Sequence, residues 1–337
     1  MARTVVWDAT SVNENSGGTP QYVWERGAPN VQKYKTIMQA NVQEYFNIAS
    51  RSGWMYNDKG IQYDGLKYAE VPILETSGLG DYRRNQGYAL GAANLKYEKF
   101  EVKMDRSTHI SVDRMDLDET GFLASTSRMM RHQMDNYIIP EIDSYNYSAV
   151  YKKVLADVPT NITNTAVDAS KLLDELRLKK AKIDNEFSVN NLAYFMSPIT
   201  ASYLTNKYEH IMSMQDFNNG SIFSKVKTID GVPIFEVPQL RFKTEYIFEQ
   251  GTTNPEEVEL DKLGFKPSPM AEDMLYMIAP MDCAQAFTKV NVTKLLTPEE
   301  STIDSWEAKF RIVYDCWLKQ SDAQVVNIST GTLNING

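Results

Sequence analysis

Alternating apolar and polar residues near the end of the chain give its clearest pattern. Apolar side chains occupy every second position from Trp306 to Leu318, and most residues between them are charged. A period of two is that of a β-strand with one buried face. The pattern therefore predicts a long, half-buried strand over 306–318. Two short apolar runs, 192–197 and 275–279, predict buried strands.

A second region of strand-like sequence predicts a β-arm. Residues 61–76 suggest one extended strand, and the return run alternates apolar and charged residues from Phe100 to Val112. Between them lies a tip with four glycines, at positions 78, 80, 87 and 91. Two long strands joined by a flexible tip are too thin to bury both of their faces without a partner.

Apolar residues spaced three to four positions apart predict the longest helix over about 117–157, with Asp118 or Thr120 as its N-cap. Pro140 should break or kink this helix, although proline also suits the first turn of a helix that restarts there.

Shorter elements follow from local signals. Residues 34–50 have a loose apolar face and predict a short helix, Asp168 is a candidate N-cap for a helix over 169–184, and Pro198 suits a helix start. Asp230-Gly231 lies between two strand-like runs and predicts a two-residue hairpin. The acidic stretch 249–273 is expected to be a surface loop.

Composition narrows the classes of protein. A chain of 337 residues with 42% hydrophobic residues can form one large soluble domain or a few lobes. We expect no membrane span and no secretory signal. Cys283 and Cys316 suggest small buried residues in a reducing cytoplasm rather than a disulfide framework. The net charge of −9 argues against a dedicated nucleic-acid binder but suits the wall of a container.

The sequence contains no nucleotide-binding or hydrolase motif, and His109, His132 and His210 have no neighbour at metal-ligand spacing. We therefore expect no catalytic site, no cofactor and no metal. Acidic residues 116–119 are better explained as helix caps than as a cation site. Arg83 and Arg84 at the glycine-rich tip could contact phosphate or solvent, and a salt bridge to an adjacent subunit is the favoured interpretation.

The order of these elements resembles that of the major capsid proteins of tailed bacteriophages. Residues 100–120 look like the end of that family's extended loop as it enters the spine helix, and 308–318 are similar to its closing strand. Pro140-Glu141-Ile142-Asp143-Ser144-Tyr145 resembles a PEIDAY segment often present in the spine helix. The resemblance covers roughly residues 35–330.

The resemblance implies an α+β protein with the phage major capsid protein fold: an N-arm, an extended β-loop, a peripheral lobe with a long spine helix, and an axial α/β lobe. The expected boundaries are 1–52 for the N-terminal arm and short helix, 53–112 for the extended β-loop, 113–165 for the spine helix of the peripheral lobe, 166–284 for the axial lobe, and 285–337 for the peripheral strands and C-terminus.

The implied function is self-assembly, through hexameric and pentameric capsomers, into an icosahedral head that encloses double-stranded DNA without sequence-specific binding. The chain would be made in the host bacterial cytoplasm and end up in the virion, with no membrane partner. Further expected partners are a separate scaffolding protein, a portal and decoration proteins. The alternatives are an encapsulin-like nanocompartment shell protein, a phage tail or minor structural protein, and an uncharacterised α/β enzyme.

Most candidate contact residues between subunits lie on the segments that bury least of themselves, and two, Arg128 and Arg131, lie on the predicted long helix. The polar arm 1–32 carries two small apolar clusters, and the basic arm tip and the acidic stretch 249–273 have opposite charges that could fix the register of neighbours. The predicted inter-subunit contacts are Trp7, Trp24, Tyr82, Arg83, Arg84, Tyr88, Arg128, Arg131, Glu256 and Glu257.

Overall fold

The computed structural model of the chain describes residues 50–56, 61–64, 67–84, 87–113, 115, 126–187, 189, 191–208, 213–219, 222–251, 263–296, 301 and 305–334. Several predicted elements lie outside the described residues. They are the N-terminal arm, all but the last residue of the helix predicted at 34–50, residues 252–262 of the acidic stretch, and residues 116–125 at the predicted start of the long helix.

The strands are, in chain order, β1 (Gln62–Asp64), β2 (Tyr68–Thr76), β3 (Ala93–Glu101), β4 (Met104–Asp113), β5 (Ile162–Thr163), β6 (Val167–Asp168), β7 (Leu192–Met196), β8 (Ser213–Asn219), β9 (Ile222–Ile229), β10 (Val232–Glu236), β11 (Tyr246–Phe248), β12 (Phe265–Pro267), β13 (Met274–Pro280), β14 (Ala284–Leu296), β15 (Ser305–Leu318), β16 (Asn327–Thr330) and β17 (Leu333–Asn334). The α-helices are α1 (Thr126–Gln133), α2 (Ile139–Asp157), α3 (Leu172–Phe187), α4 (Pro198–Tyr208) and α5 (Gln320–Ala323).

Among the described residues the largest sheet has seven strands, in the order β5-β16-β13-β7-β10-β9-β8. Every residue of β7 is buried, and its side chains alternate between two hydrophobic cores. Ala193 and Phe195 face a core shared with α2, whereas Tyr194 and Met196 face a core shared with α3 and α4. The strand predictions for the runs 192–197 and 275–279 are confirmed, because β7 covers all but the last residue of the first run, β13 covers the second, and both strands are buried throughout.

A separate antiparallel sheet, in the order β14-β15-β4, holds the strand predicted over 306–318. The simple alternation predicted for β15 is wrong at two places. Trp306 is exposed and Glu307 is buried, and from Ile312 to Leu318 every residue is buried except the half-buried Cys316. The buried carboxylates are accommodated because polar groups surround them, as described below for Asp315 and Glu307.

The arm is a sheet of strands β1, β2 and β3 within the described part of the chain, and β2 and β3 form a long hairpin. The prediction of one strand over 61–76 is wrong, because β1 folds back on β2 with Gln62 opposite Glu70. The return run from Phe100 to Val112 is not one strand either. Strand β3 ends at Glu101, and β4 joins β15 in the other sheet. The change of sheet occurs where the N–H of Val102 donates to the carbonyl of Lys67 at 2.7 Å.

The long helix passes through Pro140 without a break. A π-helical turn over Met134–Ile138 connects α1 to α2, and the N–H of Ile139 donates to the carbonyl of Met134, five residues earlier. Pro140 lies in the first turn of α2, where its missing N–H is tolerated, as the restart prediction allowed.

Two local predictions are wrong. Asp168 is not the N-cap of α3, because it lies in β6, its carboxylate accepts a hydrogen bond from the N–H of Ser170 at 3.0 Å, and the helix begins only at Leu172. The stretch 249–273 is not a loop throughout, because β12 pairs with β11.

Two local predictions are confirmed. Helix α4 begins at Pro198, and Asp230 and Gly231 form the hairpin turn with φ angles of 51° and 77°.

The two cysteines are free, and burial raises the pKa of the Cys316 thiol. In the part of the chain that the structure describes, no helix is long and apolar enough to cross a membrane. The same residues contain no group of three or more metal-ligating side chains arranged to hold an ion.

Candidate functional site

The β2–β3 arm leaves most of its surface uncovered. Its two strands are joined by nine antiparallel residue pairs, from Tyr68 opposite Glu101 to Thr76 opposite Ala93. Every side chain of β3 from Ala93 to Lys99 is exposed. A folded chain seldom leaves both sides of so long a ribbon in solvent, so the arm is the first candidate for a binding surface.

The root of the arm is fixed to the β14–β15–β4 sheet by aromatic side chains. The ring of Phe100 meets that of Phe287 edge-on at 5.2 Å and stacks on Trp317 at 6.1 Å. Ala69 and Val71 are buried near the same end, and the ammonium of Lys289 donates to the carbonyl of Tyr68 at 3.2 Å. These contacts hold one end of the arm in place, while the rest extends away from them.

The register of the hairpin separates its side chains into two unlike faces. On the apolar arm face, Pro72 lies opposite Tyr97 and Leu74 opposite Leu95. Leu74, Leu95 and Tyr97 are 67%, 54% and 47% exposed. The polar arm face, beyond the buried root, carries Ile73, Glu75, Asn94, Lys96 and Glu98.

The charged side chains of the arm are largely paired with each other. The ammonium of Lys96 lies 2.8 Å from a carboxylate oxygen of Glu75, and that of Lys99 lies 3.7 Å from Glu70. Lys99 also lies 4.7 Å from the centre of the Tyr68 ring. Exposed pairs of this kind add little stability, but they leave the arm with little net charge.

The tip of the arm, residues 77–92, is closed at its base and held by one internal turn. Ser77 donates its N–H to the carbonyl of Ala92 and accepts the N–H of Ala92 on its hydroxyl, both at 2.8 Å. Arg83 and Gly87 exchange two backbone hydrogen bonds. Gly87 has a φ of +82°, a conformation that favours glycine. The rings of Tyr82 and Tyr88 meet at 5.3 Å.

The structure brings together some of the predicted contact residues. Tyr82, Arg83, Arg84 and Tyr88 all lie exposed in the tip, and Arg131 is exposed on α1. Trp7, Trp24, Glu256, Glu257 and the side chain of Arg128 lie outside the described residues. A contact role for all ten residues stays a prediction.

Sequence reasoning missed the apolar arm face. Leu95 and Tyr97 alternate with polar residues, and this alternation was a usable signal for one face of a strand. Their pairing with Leu74 and Pro72 depends on the hairpin register, which the sequence does not state.

The segment Pro140–Tyr145 at the start of α2 connects the arm and its sheet to the rest of the molecule. Asp143 is fully buried and accepts hydrogen bonds from the hydroxyls of Ser50 and Ser52, from the N–H groups of Arg51 and Ser52, and from the guanidinium of Arg241, at 2.7–3.0 Å. Asp143 therefore fixes the segment 50–52, which precedes the arm.

Neighbouring residues of the same helix bind other elements. Glu141 forms a two-contact ion pair with Arg106 of β4, at 2.6 and 3.3 Å. The hydroxyl of Tyr145 donates to Asp315 of β15 at 2.8 Å, and Asp315 also accepts the N–H of Lys103. Burial and the nearby Asp315 carboxylate raise the pKa of Tyr145, which keeps its hydroxyl protonated as a donor.

No protein-family model and no curated protein matches the sequence. Solved structures do match. The capsid structure of cyanophage P-SCSP1u is 10% identical, with a TM-score of 0.51 over 81% of this chain and 86% of that one. Gordonia phage Cozz matches at 9% identity and a TM-score of 0.48, over 84% of this chain and 86% of that one.

The holo-SrpI encapsulin complex of Synechococcus elongatus PCC 7942 matches at 10% identity and a TM-score of 0.45, over 73% and 80% of the two chains. At such low identities the likeness shows the fold alone, and the cyanophage capsid carries it. The predicted α+β class and the predicted phage major capsid protein fold are therefore confirmed.

Proposed function

We propose that this chain is the major capsid protein of a tailed bacteriophage, the repeating subunit of an icosahedral head that encloses double-stranded DNA. The observation that carries the proposal is the fold, which the chain shares with the capsid structure of cyanophage P-SCSP1u over 81% of its length. In this proposal the chain acts by binding copies of itself and is not an enzyme.

The architecture suits a shell subunit. The seven-stranded sheet with α3 and α4 would form the axial lobe, and the β14–β15–β4 sheet with α1 and α2 the peripheral lobe. The β2–β3 arm would be the extended loop of the predicted domain 53–112. This assignment departs from the predicted boundaries, because β4 of the predicted loop domain pairs with β15, and β5 and β16 of the predicted peripheral segments lie in the seven-stranded sheet. An arm that is fixed at its root and uncovered beyond it can reach a neighbouring subunit without disturbing its own core.

Weak contacts are sufficient in such an assembly. Each arm offers a small surface, but a closed shell repeats the contact at every subunit, so the assembly can be stable although one contact is not. The same chain would form hexamers and pentamers. In this proposal the tip would contact an adjacent copy through the exposed residues Tyr82, Arg83, Arg84 and Tyr88, and α1 would do so through the exposed Arg131.

The net charge of the chain supports DNA as the proposed content of the shell. The net charge of −9 suits a wall that encloses a polyanion without adhering to it. The further partners of the proposal are a separate scaffolding protein, a portal and decoration proteins. The chain would be synthesised in the host cytoplasm and incorporated into the virion.

Deletion of residues 79–92 tests the arm's part in assembly. Thr76 and Ala93 form the last residue pair of the hairpin, so the deletion leaves Ser77-Gly78 as a two-residue turn and the ribbon can still close. We expect a folded chain that no longer forms particles in negative-stain electron micrographs. Wild-type protein prepared alongside should form closed particles. Normal particles from the deletion variant would contradict the proposal, and so would the absence of particles from both.

The content of the particle separates a phage head from a protein compartment. Particles isolated from an infected culture should protect DNA from nuclease, with this chain as their most abundant protein in mass spectrometry. Particles that contain a packaged enzyme and no DNA would contradict the capsid proposal.

A further inference from the structure

We infer that the apolar arm face, formed by Pro72, Leu74, Leu95 and Tyr97, is the side of the arm that becomes buried on assembly, and that a second copy of this chain covers it. The polar arm face would remain in contact with solvent. This inference rests on the proposed function and adds to it which side of the arm binds and what binds there.

The composition of the two faces favours this choice. The four side chains of the apolar arm face are contiguous across both strands, because Pro72 pairs with Tyr97 and Leu74 with Leu95. Removing such a surface from water is favourable in proportion to its area. The charged residues on the same side of the ribbon, Glu70, Lys99 and Glu101, lie toward its root. Covering the polar arm face would instead remove Glu75, Lys96 and Glu98 from water along the outer part of the arm, and burying charged groups is costly.

The charges of the arm argue against nucleic acid as the occupant. Binding to phosphates requires unneutralised basic side chains. Lys96 and Lys99 already pair with Glu75 and Glu70, and the apolar arm face presents leucine and tyrosine between the Glu70–Lys99 pair and the tip. A protein surface fits this face, and a polyanion does not.

The size of the face points to a second copy rather than to a different protein. Strands rise about 3.4 Å per residue and lie about 4.8 Å apart, so a ribbon of nine pairs is about 30 Å long and about 10 Å wide. One whole side of the ribbon, of which the apolar arm face is a part, therefore offers at most roughly 300 Å², whereas each partner in a stable two-protein complex buries about 800 Å². A contact of this size can support a stable assembly when it repeats from subunit to subunit in a closed ring.

The experiment compares two neighbouring residues of β3 that lie on opposite faces. Leu95 belongs to the apolar arm face and Asn94 to the polar arm face, and both are exposed, so Leu95→Lys and Asn94→Lys add the same charge one position apart. We expect Asn94→Lys to form particles at the wild-type yield. Leu95→Lys should lower the yield by at least about tenfold, because assembly would bury an unpaired ammonium.

A photocrosslinking phenylalanine analogue placed at position 95 or 94 identifies the occupant, and circular dichroism confirms that each variant is folded. Irradiated particles should give dimers of this chain from position 95 and few from position 94. Equal crosslinking from both positions, equal particle yields for both lysine variants, or crosslinks from position 95 to another protein would each overturn the inference. Those results leave the proposed function standing, provided that the wild type forms closed particles. Failure of the wild type to do so would contradict the proposed function itself.

Discussion

Asp143 shows how one buried carboxylate can connect distant parts of a chain. Its oxygens accept hydrogen bonds from the backbone and hydroxyl groups of residues 50–52 and from Arg241, and no part of the residue is exposed. A buried charge is tolerated only when it is paired and fully hydrogen-bonded. The position therefore accepts few other side chains, which gives a structural reason for an aspartate in the segment Pro140–Tyr145.

Asp143→Ala should lower the free energy of unfolding by about 3–5 kcal/mol, because the change leaves the Arg241 guanidinium and the amides of residues 51 and 52 without their acceptor. Urea unfolding of the unassembled chain measures this effect. Glu245→Ala serves as the control, since Glu245 forms an exposed pair with Lys152 at 3.4 Å and should cost at most about 1 kcal/mol. Equal effects from the two variants would contradict this account of Asp143.

Glu307 is a second buried carboxylate, and it stabilises the edge of the β15–β4 pair. It accepts hydrogen bonds from the ammonium of Lys309 at 2.6 Å and from the hydroxyl of Ser301, and His109 Nε2 lies 3.2 Å away. The bond to Lys309, followed by that to Ser301, lowers the pKa of Glu307 from 4.5 to about 2. The ionised form is therefore favoured in the folded chain.

This pKa shift predicts how stability depends on pH. Above about pH 4.5 Glu307 is ionised in both the folded and the unfolded chain, and its full contribution to the free energy of unfolding is present. Between about pH 4.5 and 2 the carboxylate of the unfolded chain binds a proton before that of the folded chain does. The contribution of Glu307 to stability is therefore lost as the pH falls through this range. The stability difference between the wild type and Glu307→Gln should therefore shrink across this window. Unfolding curves at a series of pH values measure it, and a difference that stays constant would contradict the prediction.

At the scale of elements, the arm is a ribbon that is attached to the β14–β15–β4 sheet at its root. Phe100 between Phe287 and Trp317 joins it to the sheet, and the exposed part beyond has no comparable contact in the described structure. The direction in which the arm points is therefore set by few side chains at its root. A loosened root should affect assembly before it affects the core of the chain.

Phe100→Ala should increase the rate of amide hydrogen exchange at Val102 and Lys103 by about tenfold. This factor corresponds to roughly 1.4 kcal/mol of local stability. The cause would be the loss of the two aromatic contacts that Phe100 makes at the root. Exchange in β7 and β13 should not change. Tyr97→Ala removes an exposed aromatic residue of the same strand and should leave the root protected. Uniformly faster exchange over the whole chain would show that Phe100 supports the global fold instead.

Elements with a strong local period could be predicted from the sequence, and the partners of those elements could not. The period of two predicted β15, and the Asp230-Gly231 turn predicted the β9–β10 hairpin, because both signals are local. Strand β4 pairs with β15 and does not continue the arm. This pairing depends on residues about 200 positions apart in the chain, such as Arg311 and Asp105, which form an ion pair across the two strands. No local pattern contains that information.

The candidate site divides in the same way. Glycines and arginines predicted an exposed tip, because their conformational freedom and charge are properties of single residues. The apolar arm face follows only from the pairing of Leu74 with Leu95, and the surroundings of Glu307 include His109 of β4, a residue far away in the sequence. Sequence alone gives the side chains of such sites but not which of them meet.

At the scale of the whole molecule, the two larger sheets and the arm differ in how much they contribute to the stability of the folded chain. The cores on both sides of the seven-stranded sheet stabilise the subunit, whereas the arm contributes little to that stability and presents much uncovered surface. In the proposed shell, assembly would bury surface of the arm that folding leaves exposed.

Electron microscopy of the purified chain tests this claim most directly. We expect closed, isometric particles whose reconstruction shows pentamers and hexamers of this fold, with the arm of each subunit lying on the next. Preparations that contain only monomers, flat rings or open tubes under all conditions of assembly would contradict it.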